Sequence, residues 1–562
     1  MNLNQLFEYE YSPTFRDLVE NSAKSYDQDD AFILKHKGKG KEVSYEHISF
    51  AEFRNQVEAL ACAFHKEGYS AEPIAVIGKN SYNWILTYFA TLYLGSITVP
   101  LDKALPTGEA ISSIKRSHAK TLVFDAEMDA LSKEAASNFG EALNIISMDR
   151  LSAMISEGNE LIKNGYTEHR SMEIDPEKLA VILFTSGTTS ASKAVMLSQR
   201  NIMINVYDAI TTEPIRRGEV NMAFLPYHHT FGSVGQVVMI AAGLVTTYCD
   251  GLKYIQKNIV EYNVSLFVGV PLLIEAIYKK IIASVKKQKK EKKLALGILL
   301  SKGLNKVGID IRRKLFKEIH DQLGGNLKFV ISGASAIDPK VVEGLKNFGI
   351  LAVQGYGLTE TSPILAAENP DNMRSGSVGK AMPHVELKLV DVNEEGVGQL
   401  VARGPNIMAG YFENPEETAK VFKDGWFYTG DLAAIDKDGF VFIKGREKNV
   451  IVLKNGKNVY PEELETLVAN LPFVEEVFVF GEEKGENDLV VSAKIVYKPD
   501  YLKEYAGVET HEEVEKIIRE AVDKINDTMP AYKHIKRLIL TDQPMIKTTT
   551  GKVKRFEEVK AL

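Results

Sequence analysis

Cysteine is nearly absent: Cys62 and Cys249 are the only two in 562 residues, each among apolar neighbours. That excludes a disulfide framework and a cysteine metal site, and it fits a reducing cytoplasm. Long apolar runs are also missing. The longest, residues 84–100 and 232–246, are broken by Thr, Ser, Gly or Gln and fall short of the ~20 residues of a membrane-crossing helix, so they read as buried core. The opening MNLNQLFEYEYSPTF has neither the basic nor the apolar region of a secretory signal, and a cytoplasmic location is expected. There is no internal repeat and no recognisable nucleic-acid module, so nucleic acid is not an expected partner. The phosphate loop G-x-x-x-x-G-K-[ST] does not occur either, which argues against a kinase or GTPase.

What is present is an ordinary globular composition, 45% hydrophobic and 25% charged, on a chain too long for one compact core. The net charge of −7 conceals an asymmetry. Residues 279–317 carry 14 Lys or Arg against Glu291 and Asp310, a local +12 that leaves −19 elsewhere. The densest part, KKQKKEKK at 286–293, is flanked on both sides by Leu and Ile. Such a basic amphipathic pattern is compatible with peripheral docking on an anionic membrane; a solvated helix face is the alternative.

Along the first ~440 residues, short β-rich runs (73–78, 121–125, 179–185, 220–226, 266–271, 327–332) alternate with helical patterns. That spacing implies βαβ units and mostly parallel sheets. After about residue 383 the pattern changes to short strands and glycine turns, at 385–391, 398–403, 427–431 and 439–445. A last unit follows with helices at 459–471 and 512–529 and strands at 474–479 and 489–497. The expected fold class is α/β: a large N-terminal domain over 1–445, with a β-rich subdomain at about 383–445, then a small α+β domain over 446–562.

The chemistry-bearing segment is Phe184-Thr185-Ser186-Gly187-Thr188-Thr189-Ser190-Ala191-Ser192-Lys193, directly after the apolar run 179–183. Hydroxyl side chains and Gly187, which lets backbone N–H groups approach, can surround an anion, and Lys193 can neutralise it. A solvated strand-to-helix turn is the plain alternative. Further segments are LPYHHTFG at 225–232, SGASA at 332–336, QGYGLTETSP at 354–363, FYTGD at 427–431, GREKN at 445–449, NGKNVYPEELE at 455–465 and KTTTGK at 547–552.

Taken in this order, from about residue 45 to 555, these segments resemble the adenylate-forming (AMP-binding) superfamily, acyl-CoA synthetase branch. Ser190, Ser192 and Ala194 stand where that family usually has Gly, Pro and Gly. At Ser190 a left-handed backbone would cost about 1–2 kcal/mol. Similarly, Asn449 replaces a commoner acid and Ile546 a proline.

The resemblance implies site roles. Thr185, Ser186, Gly187, Thr188, Thr189 and Lys193 would hold the ATP phosphates, and His229 would lie beside the carboxylate being activated. Gly333 and Ala334 would wall the adenine, Tyr356 would stack on it, and Gly357 and Thr359 would border the α-phosphate. Glu360, with Thr185, would hold Mg2+. Asp431 would bind the ribose, Arg446 would reach the ribose or a phosphate, Lys448 would mark the hinge of a mobile C-terminal domain, and Lys552 would be the catalytic lysine.

ATP, Mg2+ and CoA are the cofactors and co-substrates so implied. The segment 278–333 resembles the long-chain branch more than the peptide-synthetase branch and points to a fatty acid. Phe231, Val234, Val237, Val238 and Met239 are candidates to line an acyl tunnel, or are plain core. Two alternatives stand beside acyl-CoA formation: loading of an acyl carrier protein or another amine or thiol acceptor, and a catalytically silent nucleotide or acyl-CoA sensor. Lys552 argues against the sensor.

Overall fold

The structure, a computed structural model, describes residues 6–38, 40, 42–185, 192–484, 489–508, 510–547 and 552–562. Two compact units make up the chain: one of residues 1–185, 192–386 and 402–427, the other chiefly of 387–401 and 428–562.

The first unit is built on two sheets. Among the described residues, nine strands form one of them, in the spatial order Lys380–Ala381, Ile364–Ala367, Leu351–Gly357, Phe329–Ser332, Leu266–Gly269, Val220–Ala223, Val245–Tyr248, Asp30–Lys37 and Val43–Ser49. From Leu351–Gly357 through to Asp30–Lys37 every pairing is parallel; the outer ones are antiparallel. Among the described residues, seven strands form the other, in the order Gly410–Tyr411, Lys193–Ser198, Leu179–Thr185, Thr98–Leu101, Ile74–Ile77, Thr121–Phe124 and Asn144–Ser147. Its central strands, Thr98–Leu101, Ile74–Ile77 and Thr121–Phe124, are buried along their whole length. Near-continuous apolar runs of four or five residues suit this setting, because a parallel strand covered on both faces has no solvent side.

Helices cover these sheets. Tyr82–Tyr93 starts where the Ser81 hydroxyl accepts from Trp84 N–H at 3.2 Å, and nearly all of it is buried. This helix lies within the broken apolar run at 84–100, whose Trp84, Tyr88 and Phe89 are 1% exposed or less and help form the main core. Helix Phe50–Lys66 is capped in the same way by Ser49 and buries Phe53, Val57, Leu60 and Phe64. A hydroxyl cap of this kind contributes about 1 kcal/mol.

In the second unit, the strands Glu386–Val390, Gly398–Arg403, Trp426–Ile435 and Val441–Arg446 supply the β-rich part. Its C-terminal part has the strands Val474–Glu483, Leu489–Tyr497 and Arg537–Thr541, the first pair antiparallel and the second parallel. Helices Pro461–Ala469 and His511–Asn526 bury Leu464, Val468, Ile518 and Val522 in the same core as Val479, Ala493 and Ile495.

The α/β expectation is therefore what the chain adopts, strand bounds differing by a few residues. One local reading is corrected. The hydroxyl-rich segment does not lead into a helix: it joins the antiparallel strands Leu179–Thr185 and Lys193–Ser198, with Thr185 opposite Lys193. A helix, Gln199–Thr212, begins only after the return strand.

Candidate active site

Three parallel strands of the nine-stranded sheet, two of them adjacent and the third one strand away across Leu266–Gly269, deliver candidate residues at their carboxyl ends, where open α/β sheets bind ligands. After Val220–Ala223 the chain reaches His229; after Phe329–Ser332 come Gly333 and Ala334; Leu351–Gly357 ends on Tyr356 and Gly357, with Thr359 and Glu360 next.

The His229 segment is fixed by side-chain contacts. Asn80 donates to the Leu225 carbonyl at 2.6 Å and accepts from Tyr227 N–H at 3.0 Å. His229 is the N-cap of helix Thr230–Ala241, and its carbonyl accepts from Ser233 N–H at 2.9 Å. The Phe231 ring reaches Gly333 so closely that a Cβ there would stand 2.7 Å from it, which brings the His229 and Gly333–Ala334 segments together. Ala334 adopts φ +73°, a left-handed backbone uncommon for a residue with a Cβ. Beyond Phe231 the helix runs into the core: Val234, Val237, Val238 and Met239 are 5% exposed or less and pack in the main cluster.

Glu360 sits on the short 3-10 turn Thr359–Thr361, between antiparallel strands in which Tyr356 faces Ala366 and Gly357 faces Ile364. Only glycine fits at 357, because a Cβ would fall 1.8 Å from the Pro363 carbonyl oxygen. Two buried asparagines hold the turn. Asn406 donates to the carbonyls of Thr361 (2.8 Å) and Ile364 (3.1 Å), while Asn205 donates to the Ile364 carbonyl at 2.8 Å and accepts from its N–H at 3.1 Å. Each bond contributes about 1 kcal/mol net, but losing one strands a buried polar group at greater cost.

Glu360 and Lys193 meet across a tyrosine. The Tyr411 hydroxyl donates to Glu360 Oε1 at 3.0 Å, and the Lys193 ammonium lies 4.8 Å from the Tyr411 ring centroid. Tyr411, 5% exposed, belongs to the two-residue strand Gly410–Tyr411, which pairs with the lysine's own strand by placing Tyr411 opposite Val195. Lys193 Nζ also contacts Glu417 Oε2 at 2.6 Å. Hydrogen bonds from Lys193, then from Lys420, pull the Glu417 carboxyl down to about 2. Thr185 Oγ1 donates to the Lys193 carbonyl at 3.3 Å, and Arg116 donates to the Ser192 carbonyl at 2.7 Å and its hydroxyl at 3.2 Å. Thus Lys193 and Glu360 share Tyr411 and Thr185 adjoins Lys193; Ser186, Gly187, Thr188, Thr189 and Ser190 lie outside the described residues.

In the second unit, Asp431 and Arg446 face each other across the hairpin Trp426–Ile435 and Val441–Arg446. Arg446 Nε contacts Asp431 Oδ1 at 2.9 Å, and its Nη1 donates to the Thr429 carbonyl at 3.2 Å. Thr429 in turn accepts from Asp431 N–H at 3.1 Å and donates to the Leu400 carbonyl at 2.7 Å, so the 5%-exposed Asp431 is rigidly presented. Lys448 follows on an exposed 3-10 turn, Glu447–Asn449. Lys552 is exposed and adjoins the bridge Lys547–Val553. Nearby, the 1%-exposed Glu558 accepts from Lys494 at 2.7 Å and from Ile546 N–H at 2.5 Å, clamping this segment to the sheet.

Sequence reasoning missed Tyr411, Glu417, Arg116, Asn205 and Asn406. No local pattern marks them: they act by position in the tertiary fold.

Among the described residues, no group of three or more His, Cys, Asp or Glu could hold a metal on its own. Glu360 offers one carboxylate, and Thr185 a hydroxyl that donates to the Lys193 carbonyl. That set suits Mg2+, which binds through one or two carboxylates together with substrate phosphates.

Comparison with known proteins bears on the family and the fold. The family model described as AMP-binding enzyme matches residues 19–412, and that of the AMP-binding enzyme C-terminal domain matches 448–561. A long-chain-fatty-acid–CoA ligase of Mycobacterium bovis is 26% identical over 462 residues, covering 78% of this chain and 76% of the relative. Long-chain-fatty-acid–CoA ligase 1 of Homo sapiens is 27% identical over 569 residues, covering 92% and 77%. In fold, the chain is similar to the anthranilate CoA ligase AuaEII, solved with anthranoyl-AMP, at a TM-score of 0.76 and 20% identity over 99% of this chain and 98% of that one.

Proposed function

The chain belongs to the AMP-binding enzyme family, on its acyl-CoA synthetase branch, and from that premise we propose that it activates a long-chain fatty acid with ATP and passes the acyl group to CoA. The acid-to-CoA chemistry follows the family; the long acyl chain is supported by the names of the curated relatives. One observation carries the site assignment: Lys193 and Glu360 are held on either side of Tyr411, a cation and a carboxylate at the end of the hydroxyl-rich segment.

A carboxylate acylates poorly because its leaving group would be oxide. Attack of its oxygen on the α-phosphorus of ATP forms a mixed anhydride and breaks the bond to pyrophosphate, which leaves. In-line displacement of this kind needs positioning and charge neutralisation more than covalent help from the protein. Lys193, exchanging Glu417 for phosphate oxygens, would hold the β- and γ-phosphates together with Ser186, Gly187, Thr188 and Thr189. Tyr356 would stack on the adenine against Gly333 and Ala334, while Gly357 and Thr359 would border the α-phosphate. His229 would orient the acid. Glu360 and Thr185 would hold Mg2+, which when bound supplies positive charge to the phosphate oxygens.

Asp431, accepting at both carboxylate oxygens, would take the ribose hydroxyls, with Arg446 fixing its orientation. Lys552 would bridge the acid and the α-phosphate. Residues 446–562 would then turn about Lys448, withdrawing Lys552 so that the CoA thiol can attack the acyl carbon and expel AMP.

The test is a hydroxylamine-trap screen of acids of graded length with ATP and Mg2+, followed by CoA and acyl carrier protein offered to the best acid. Hydroxamate from long-chain acids and thioester on CoA are expected. No hydroxamate with any acid would overturn the reading, and thioester on the carrier protein alone would replace CoA as acceptor.

A further inference from the structure

The densest part of the basic segment, 286–293, spans the end of one helix and the start of the next. Pro271–Lys287 ends at a turn in which Lys289 takes φ +54°, and Glu291–Asn305 follows. The second helix packs through one face only. Its Gly297 and Ser301 are buried, and Leu294 and Ile298 join a core cluster. Gly297 lies close to Phe316, so close that a Cβ would stand 3.2 Å from the ring.

At 3.6 residues per turn, positions 296, 299, 300 and 303 fall on the opposite face, within an arc of about 100°. There Leu296 is 67% exposed, Leu299 70% and Leu300 52%, and just past the helix Val307 is 70% and Ile309 51% exposed. Scattered exposed leucines are ordinary, whereas five large apolar side chains along one helix and its exit turn form a patch.

Charge decides what the patch fits. Part of the segment's charge is used within the fold: Lys279 faces Glu275, Lys290 Glu318, Lys302 Glu343, Arg312 Asp310 and Lys317 Asp321. Lys286, Lys287, Lys289, Lys292 and Lys293 pair with no carboxylate among the described residues, and all are exposed. Lys292 and Lys293 stand one turn before the leucine stripe and flank it. An apolar stripe bordered by lysines matches a surface with negative headgroups above hydrocarbon. Two copies of this chain meeting through the patch would bring ten unpaired lysines together. No helix among the described residues is long and apolar enough to cross a membrane, so contact here would lie in the interface.

We propose that the helix Glu291–Asn305, with Val307 and Ile309, docks the protein on an anionic lipid bilayer, the leucines entering the acyl boundary and Lys286–Lys293 meeting the headgroups. This holds whichever acid the enzyme activates.

The test is flotation of the full chain with vesicles of phosphatidylcholine alone or mixed with phosphatidylglycerol. Binding to the mixed vesicles, weakened by salt, is expected. Replacing Lys289, Lys292 and Lys293 by Ser should weaken it about five-fold per lysine, roughly 100-fold in all. The triple variant L296S/L299S/L300S should weaken it by roughly the same factor; because these side chains are exposed, its thermal unfolding should match that of the parent chain. Absence of vesicle binding, equal binding without phosphatidylglycerol, or full binding by the leucine variant would each overturn the proposal. So would concentration-dependent dimerisation that the leucine variant abolishes in a chain that ignores lipid.

Discussion

Tyr411→Phe isolates the contact on which the proposed site depends. The substitution removes one hydroxyl, the donor to Glu360 Oε1 at 3.0 Å, and keeps the ring beneath Lys193. A hydrogen bond to a charged acceptor contributes about 1.5–3 kcal/mol, and part of that orients the carboxylate. If half of it is lost from the active geometry, the penalty is about 0.8–1.5 kcal/mol, up to a roughly ten-fold effect. The expected result in acid-dependent ATP–pyrophosphate exchange is a Mg2+ half-saturation raised up to roughly ten-fold with the KM for ATP little changed. Tyr411→Ala also removes the ring, forfeiting a cation–π contact of about 0.5–1 kcal/mol, so the KM for ATP should then rise by about two- to five-fold as well. It also empties a nearly buried site, and its lower melting temperature would separate instability from lost binding. A Phe variant whose Mg2+ titration superimposes on that of the parent enzyme would refute the reasoning, because the Tyr411 hydroxyl would then have no hold on a metal-binding carboxylate.

Lys552→Ala should abolish acid-dependent ATP–pyrophosphate exchange yet spare thiolysis of added acyl-adenylate, both followed by product release; equal loss of both would remove Lys552 from its assigned step. Gly333→Ala puts a Cβ 2.7 Å from the Phe231 ring and should raise the KM for ATP and for the acid together, and pairing it with Phe231→Leu should restore both. An acid-stability prediction comes from Glu58, 2% exposed, whose carboxylate contacts His169, Arg170 and Arg54. Burial alone would raise its pKa, but the hydrogen bonds from His169 and Arg170 and the charge of Arg54 outweigh it and bring it from 4.5 to about 2. Below 4.5 the unfolded chain takes up this proton before the folded one does, so the stability from Glu58 is complete above that pH and lost as pH falls toward 2. Urea unfolding across that window should show a steeper loss for the parent chain than for Glu58→Gln.

The elements that could be read from sequence are those whose reason is local. Residues 179–185 are a strand because apolar side chains leave no polar face, and 489–497 because β-branched residues dominate around Ser492 and Lys494; each is found at those bounds. Helix 459–471 was legible from its apolar spacing and proline start, and it runs from Pro461 to Ala469. In the basic stretch 286–293 the turn at Lys289 was not legible, because lysines favour helix and nothing in KKQKKEKK marks it.

Candidate residues follow a similar division. Groups that would touch phosphate, adenine or ribose were readable because their tasks admit few residue types: a carboxylate at 360 and 431, a cation at 193, a glycine at 357 where the Pro363 carbonyl leaves no room. The groups that hold them were not. Asn205 and Asn406 serve by offering an amide to Ile364 and Thr361 from distant parts of the chain, and Tyr411 reaches Glu360 only because a two-residue strand pairs in one register with Lys193–Ser198. A shift of that register by one residue would turn Tyr411 to the other face of the sheet and part the carboxylate from the cation's side of the site. The positioning of the candidate chemistry is thus a property of strand pairing, and a sequence can show it only through residues whose own spacing sets that register, which a two-residue strand does not possess.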